Sequence, residues 1–139
     1  MSFLIDTNVV SEWVRPRPDP RVVAWFAEAD EDRVFLSVVT LAELRRGVSR
    51  LAESHRRNRL DDWLRHELPL RFEGRILEID AVVAAAWGDV MAEREQRGRP
   101  ISAMDAFIAA TARVYRLTLV TRNAADFEES VPEIVNPWM

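Results

Sequence analysis

Four acidic side chains, in segments that lie far apart along the chain, are the residues best suited to chemistry. They are Asp6, Glu43, Asp105 and Asp126. Carboxylate oxygens are the ligands that hard cations such as Mg²⁺ prefer, usually one or two carboxylates together with waters and substrate phosphates. A bound cation lowers the pKa of water and neutralises charge on a phosphate under attack. We therefore interpret these acids as candidate catalytic residues of a metal-dependent site.

Two of the acids also fit a structural role at the start of a helix. In Thr40-x-x-Glu43 the acid takes the third helical position of a capping box, and Ser102-x-x-Asp105 has the same spacing. The residues after Asp105 favour a functional role for this acid over a capping role, because positions 106–112 are almost entirely apolar. A helix that is so deeply buried keeps a charge at one end where that charge is paired or bound to a metal.

The other two acids lie next to predicted strands. Asp6 directly follows the first strand, and Asp126 follows the fourth strand by a few residues. In open parallel sheets ligands bind outside the carboxyl ends of the strands, so we expect all four acids near that edge. Each of these two acids also has an alternative structural role. Asp6 fits the N-cap of the helix that follows it, and Asp126 fits a solvent-exposed loop.

Short apolar runs alternate with helical patterns along the whole chain. This alternation predicts an α/β fold, a three-layer α/β/α sandwich with a mainly parallel central sheet of four to five strands. The predicted strands are Phe3–Ile5, Val34–Ser37, 76–79, 117–121 and, as a short last one, Ile134–Val135. The predicted helices are 7–14, one opened by Pro20, a region 41–68 broken near 53–54, Ala81–Gln96 and Ala103–Tyr115.

Composition limits the classes of protein and of site. The 139 residues are 48% hydrophobic and 30% charged, which predicts one globular domain over residues 1–139. Cysteine and lysine are absent, which excludes thiolate nucleophiles, Schiff-base chemistry and a phosphate-loop lysine. No apolar run approaches the roughly 20 residues of a membrane helix, and the acidic start does not fit a signal peptide. We therefore expect a cytoplasmic chain that does not contact a membrane.

All 19 basic residues are arginine, and the net charge of −4 means that any RNA must bind a local basic face. Six arginines crowd the region after Glu43. They are Arg45, Arg46, Arg50, Arg56, Arg57 and Arg59. Two interpretations of these arginines remain open. They form a solvated helix face with salt bridges, or some of them bind RNA phosphates or a partner protein. His55 and His66 show no metal-binding spacing and are expected on the surface.

Four segments together resemble the PIN-domain ribonucleases, and most closely the VapC-type toxins of bacterial toxin–antitoxin pairs. The matching segments are FLIDTNVVSE, SVVTLAELRRGVSRL, ISAMDAFIAATA and LVTRNAADF, in this order over nearly the whole chain. The resemblance implies an endoribonuclease that needs Mg²⁺, with Mn²⁺ as a substitute. It also implies a homodimer that is silenced by a cognate antitoxin protein.

The resemblance also implies roles for individual residues. Asp6 and Asp105 correspond to the principal metal ligands, and Glu43 to a third acid that acts partly through water. Thr7 and Asn8 would orient Asp6.

Thr121 would support the site by hydrogen bonds. The chain departs from the family pattern at Asn123, where many relatives have Asp, so that Asp126 is left as the nearby fourth acid.

A catalytically inactive PIN-like binding or scaffold module is the alternative function. Loss of the acids marks that outcome in such proteins, whereas at least three of the expected acids are present here. The sequence therefore favours the nuclease.

Overall fold

A five-stranded, fully parallel sheet forms the centre of the protein, whose computed structural model describes all 139 residues. The strands are β1 (Phe3–Ile5), β2 (Val34–Ser37), β3 (Ile76–Leu77), β4 (Thr118–Val120) and β5 (Ile134–Val135). Their order in the sheet is β3-β2-β1-β4-β5, and every neighbouring pair is parallel. The predicted α/β fold with a parallel sheet between helical layers is confirmed.

Helices connect the strands and cover both faces of the sheet. They are α1 (Thr7–Trp13), α2 (Pro20–Glu28), α3 (Val38–Ser49), α4 (His55–Asp62), α5 (Leu68–Arg71), α6 (Ala81–Gln96), α7 (Ala103–Tyr115) and α8 (Ala124–Phe127). A π-helical stretch, Trp63–Glu67, joins α4 to α5. The longest helix, α6, has 16 residues, and no helix is both long and apolar enough to cross a bilayer.

The alternation of side chains along the strands divides the core into two layers. On β1, Leu4 belongs to the cluster under α6 and α7, whereas Ile5 belongs to the cluster under α1, α2 and α3. On β4, Leu119 and Val120 divide in the same way. All four side chains are 0% exposed, as expected for central parallel strands that are covered on both faces.

The direction of the connections changes at β1. The chain moves from β1 to β2 and β3 on one side, and then returns to build β4 and β5 on the other. The carboxyl ends of β1 and β4 therefore lie side by side, and the Asp6 N–H donates to the Val120 carbonyl over 2.9 Å. Such a reversal leaves a crevice outside the sheet edge, which is where α/β proteins bind ligands.

Several predicted boundaries are wrong. Helix α3 begins at Val38 instead of residue 41, because the Ser37 hydroxyl caps it by accepting the Val39 N–H over 3.0 Å. Thr40 is therefore inside the helix and is not a cap, so Glu43 is not part of a capping box. Strand β3 covers only residues 76 and 77 of the predicted 76–79.

Candidate active site

A polar cleft of about 440 Å³ opens at the carboxyl ends of β1 and β4. Three of the four predicted acids line it, namely Asp6, Glu43 and Asp105. Only one of its eleven lining residues, Trp138, is hydrophobic. The fold thus brings together carboxylates that are separated by up to about a hundred residues, at the place where parallel sheets bind ligands.

Asp6 is the buried centre of the cleft, and hydrogen bonds fix its carboxylate. Its Oδ1 accepts the Thr7 N–H over 2.8 Å, so Asp6 also caps α1 as the sequence suggested. Its Oδ2 accepts the Thr121 hydroxyl over 2.8 Å and an N–H of the Asn8 amide over 3.3 Å. The structure therefore places Asn8 and Thr121 in direct contact with Asp6.

The pKa of Asp6 is raised from 3.8 to about 6. Burial is the largest cause, because the residue is only 5% exposed. The hydrogen bonds from Thr121 and Thr7 lower the pKa, and the negative charges of Asp105 and Glu43 raise it. The three carboxylates therefore repel one another across the cleft, and a cation between them would relieve that repulsion.

Glu43 is held in place by Thr7, from a helix on the other side of the cleft. The Thr7 hydroxyl donates to Glu43 Oε1 over 2.6 Å, and it lies 3.1 Å from the hydroxyl of the buried Thr40. The resemblance implied that Thr7 orients Asp6. In the structure its backbone does so, while its side chain orients Glu43.

Asp105 lies in the first turn of α7 and is half-buried. The Ser102 hydroxyl caps this helix by accepting the Asp105 N–H over 3.2 Å, so the predicted N-terminus of α7 is confirmed. Burial raises the pKa of the Asp105 carboxyl, a hydrogen bond from Ser102 lowers it, and the charges of Glu43 and Asp126 raise it further. Capping and a place in the acidic cleft are thus compatible at this residue.

The structure separates the two candidates for the fourth site group. Asn123 lines the cleft of the three acids, and its N–H donates to the Thr121 hydroxyl over 3.1 Å. Asp126 is exposed on α8 and lines a neighbouring cleft of about 210 Å³, which Asp105 also lines. Asp126 therefore lies beside the site, where its negative charge raises the pKa of the Asp105 carboxyl.

A further acid, Glu12, lines the cleft and was not predicted. Its side chain is buried, and its two oxygens accept Arg15 Nη1 over 3.2 Å and the Asp19 N–H over 3.0 Å. The signal was present in the sequence. Asn8 and Glu12 are four residues apart, which places them on one face of the helix that begins at the site, and Arg15 follows the end of that helix.

The chemistry of the acidic residues fits a divalent cation. Unlike Glu12, none of Asp6, Glu43 and Asp105 forms a salt bridge with an arginine, so no basic side chain pairs directly with these carboxylates. No three histidine or acidic side chains stand close enough to enclose an ion by themselves. Mg²⁺ tolerates such an open set, because it usually keeps several waters and takes only one or two carboxylates.

The arginines that follow Glu43 divide into two groups. Arg45 pairs with Asp61 over 2.5 Å, as expected for a solvated face with salt bridges. The other five form no salt bridge within the chain, and Arg56 borders an apolar groove that continues from the acidic cleft.

His55 and His66 are exposed.

Comparison with known proteins gives matches over almost the whole chain. A family model described as PIN domain matches residues 3–129. The chain is 41% identical over 136 residues to Toxin FitB of Neisseria gonorrhoeae, and the aligned residues cover 98% of this chain and 98% of that protein. It is 34% identical to VapC ribonuclease Y4jK of Sinorhizobium fredii, over 98% of this chain and 97% of that protein. The crystal structure of FitAcB from Neisseria gonorrhoeae superposes with a TM-score of 0.92 at 40% identity, over 98% of each chain.

Proposed function

The chain belongs to the PIN-domain family, and from this premise we propose that it is a metal-dependent endoribonuclease and the toxin of a toxin–antitoxin pair. The match to the family model over residues 3–129 gives the family. The similarity to proteins named as a toxin and as a VapC ribonuclease supports the activity. The predicted resemblance is confirmed, whereas RNA cleavage and metal dependence are proposals.

One observation carries the catalytic proposal. Asp6, Glu43 and Asp105 line a single cleft, none of them forms a salt bridge with an arginine, and their mutual repulsion contributes to raising the pKa of Asp6 to about 6. Such crowding of like charges destabilises a protein unless a ligand uses it. An inactive scaffold module would gain nothing from it, which is why we favour the nuclease over that alternative.

The residues of the chain have separable tasks in this proposal. Asp6 and Asp105 would hold Mg²⁺, or Mn²⁺ in its place, with Glu43 contributing through water. When bound, the cation supplies positive charge to the phosphodiester and lowers the pKa of water. Thr7 keeps the Glu43 carboxylate directed into the cleft.

The cleft also offers groups to the nucleic acid itself. Arg15 and Arg122 line it, and guanidinium groups bind phosphate oxygens through two parallel hydrogen bonds. Glu12 fixes Arg15 by a 3.2 Å salt bridge, and Arg122 lies over the ring of Trp138 at 5.2 Å. These two arginines would hold the RNA backbone beside the acids despite the negative charge of the chain as a whole.

Cleavage of RNA by the purified chain tests the proposal. We expect cleavage with Mg²⁺ or Mn²⁺ and none after addition of EDTA, because carboxylates alone do not activate water. The matched control is Asp6→Asn, purified by the same procedure, which reveals any contaminating ribonuclease. Cleavage that persists in EDTA, or that is equal in the variant, contradicts the proposed function.

The proposed partner is a cognate antitoxin, consistent with the toxin name of the relative from Neisseria gonorrhoeae. We propose that its tail lies across the carboxyl edge of the sheet and places an arginine among the acids. Expression of the chain alone should then arrest growth, and the Asp6→Ala variant should be harmless. The chain is also expected to form a homodimer, which sedimentation of the purified protein would measure.

A further inference from the structure

Arg94, near the end of α6, is the most buried basic side chain of the molecule and has no role in the predicted site. The residue is 8% exposed. A buried guanidinium is costly unless its N–H groups are hydrogen-bonded, so its partners indicate what it does. None of these partners is a carboxylate within hydrogen-bond distance.

The guanidinium of Arg94 binds three groups from two other segments. Its Nε donates to the Arg99 carbonyl over 2.7 Å, and the Arg99 N–H returns a 2.9 Å bond to the Arg94 carbonyl. Its Nη1 donates to the Asp126 carbonyl over 2.8 Å and to the Ser130 hydroxyl over 3.1 Å. One planar side chain therefore connects the segment before α7 to the segment that contains α8.

Both of these segments carry acids of the candidate site. Arg99 begins the short connection that reaches Ser102, the cap of α7, and then Asp105. Asp126 lies in α8, which follows β4 and Asn123. Arg94, Asp105 and Asp126 line the same cleft of about 210 Å³.

We propose that Arg94 is a positioning residue for the metal site, which fixes the segment of Asp105 against the segment of Asp126. The inference rests on the proposed function, because it assigns Arg94 a part in holding the carboxylates that would bind the cation. The fixed, planar arrangement of the guanidinium N–H groups is essential to this role. A lysine carries the same charge as a single point and cannot span the Arg99 and Asp126 carbonyls in the same fixed geometry.

A merely structural role is the competing explanation, and the structure gives it some basis. Glu129 Oε2 is buried without a hydrogen-bond partner and lies 3.8 Å from Arg94 Nε. Loss of Arg94 would leave that carboxylate less compensated and lower the stability of the fold. The test therefore needs a measurement that stability alone does not change.

Arg113 provides a matched control on the neighbouring helix α7. Its Nε donates to the Ser130 carbonyl over 2.5 Å, and its Nη2 pairs with Glu93 over 2.7 Å. Arg113 thus holds the same residue 130 that Arg94 holds, but it bonds neither to Arg99 nor to Asp126. Replacing either arginine by lysine keeps the net charge and removes a comparable set of hydrogen bonds.

The experiment compares the full-length wild type with R94K and R113K. The rise in melting temperature caused by Mn²⁺ is measured without RNA, and cleavage rates are measured separately. Both variants are expected to melt at a lower temperature than the wild type in EDTA. R94K should need about 10–100-fold more Mn²⁺ for half of the full stabilisation, the usual effect of losing a group that orients metal ligands, while R113K should match the wild type.

Each result bears on one proposal or the other. If R94K responds to Mn²⁺ as the wild type does, Arg94 is only structural and the inference is wrong. If the wild type itself neither binds Mn²⁺ nor cleaves RNA, the proposed function fails and the inference fails with it. Should R94K be too unstable to measure, S130A removes one of the same acceptors. A wild-type Mn²⁺ response in S130A, with R94K unfolded, overturns the inference.

Discussion

The Thr7 hydroxyl donates a 2.6 Å hydrogen bond to Glu43 Oε1, and this bond joins the first turn of α1 to α3 across the cleft. The two residues are 36 positions apart in the chain. Through its backbone, Thr7 also binds Asp6, so one residue orients two of the three acids in the cleft. The loss of this hydroxyl is therefore a sensitive test of how strictly the carboxylates must be placed.

Thr7→Val should reduce RNA cleavage by about 10–100-fold, because it removes the donor that orients Glu43 but leaves every acid in place. Thr7→Ser keeps the hydroxyl and should retain activity close to that of the wild type. Steady-state cleavage rates at saturating Mg²⁺, with melting temperatures of the same preparations, measure both. Equal rates in the Val and Ser variants would show that the contact between Thr7 and Glu43 is unimportant for the reaction.

The stability of the metal-free protein should depend on pH through Asp6. Its pKa is about 6 in the folded chain against the ordinary value of 3.8 for an aspartate, so the folded chain binds this proton more tightly than the unfolded chain does. The resulting stabilisation is fully present below about pH 4 and is lost as the pH rises through about 6. Asp6→Asn does not titrate there, and it should gain roughly 1–3 kcal/mol relative to the wild type between pH 4 and pH 7.

Urea unfolding of the two proteins in EDTA, over that pH range, measures this difference. Saturating Mg²⁺ should reverse the sign of the difference at pH 7, because the cation stabilises only the chain that retains the carboxylate. A difference that stays constant between pH 4 and pH 7 would contradict the assignment of the raised pKa to Asp6.

Asp105→Asn should abolish cleavage and leave the fold intact. Because the Asp105 N–H still donates to the Ser102 hydroxyl, the helix cap is kept. Removal of a charge from the crowded cleft is expected to stabilise the metal-free protein slightly. Ser102→Ala is the control for capping and should lose about 0.5–2 kcal/mol while it still cleaves RNA. An Asp105→Asn protein that is destabilised to that extent and stays active would assign Asp105 to capping alone.

The fourth site group can be identified by metal titration. Asn123→Asp adds a carboxylate to the cleft of Asp6, and it should lower the Mg²⁺ concentration for half-maximal cleavage, because carboxylates bind hard cations better than amides. Asp126→Asn should raise that concentration if Asp126 contributes, as we expect from its charge beside Asp105. An unchanged curve for Asp126→Asn together with a large shift for Asn123→Asp would remove Asp126 from the site.

Much of the architecture follows from local sequence. The helices Ala81–Gln96 and Ala103–Tyr115 have the predicted bounds, because Asp80, Gly98 and Ser102 provide caps and stops that act within a few residues. The sequence predicts the strands because short β-branched and apolar runs stand between helical patterns. The position of Asp6 at a carboxyl end followed from the same alternation.

The contacts of the site were decided by tertiary structure, since they join segments with no fixed spacing in the chain. Sequence predicts that Glu43 lies on a helix, but only the packing of α1 against α3 gives it Thr7 as a partner. Asn123 and Asp126 are three residues apart, and the local turn of α8 places one in the cleft of Asp6 and the other in the cleft beside it. In the sequence alone, nothing distinguishes Arg94 from the other charges near the end of its helix. Its burial results from the approach of residues 99, 126 and 130, which depends on how α6, α7 and α8 pack around the sheet.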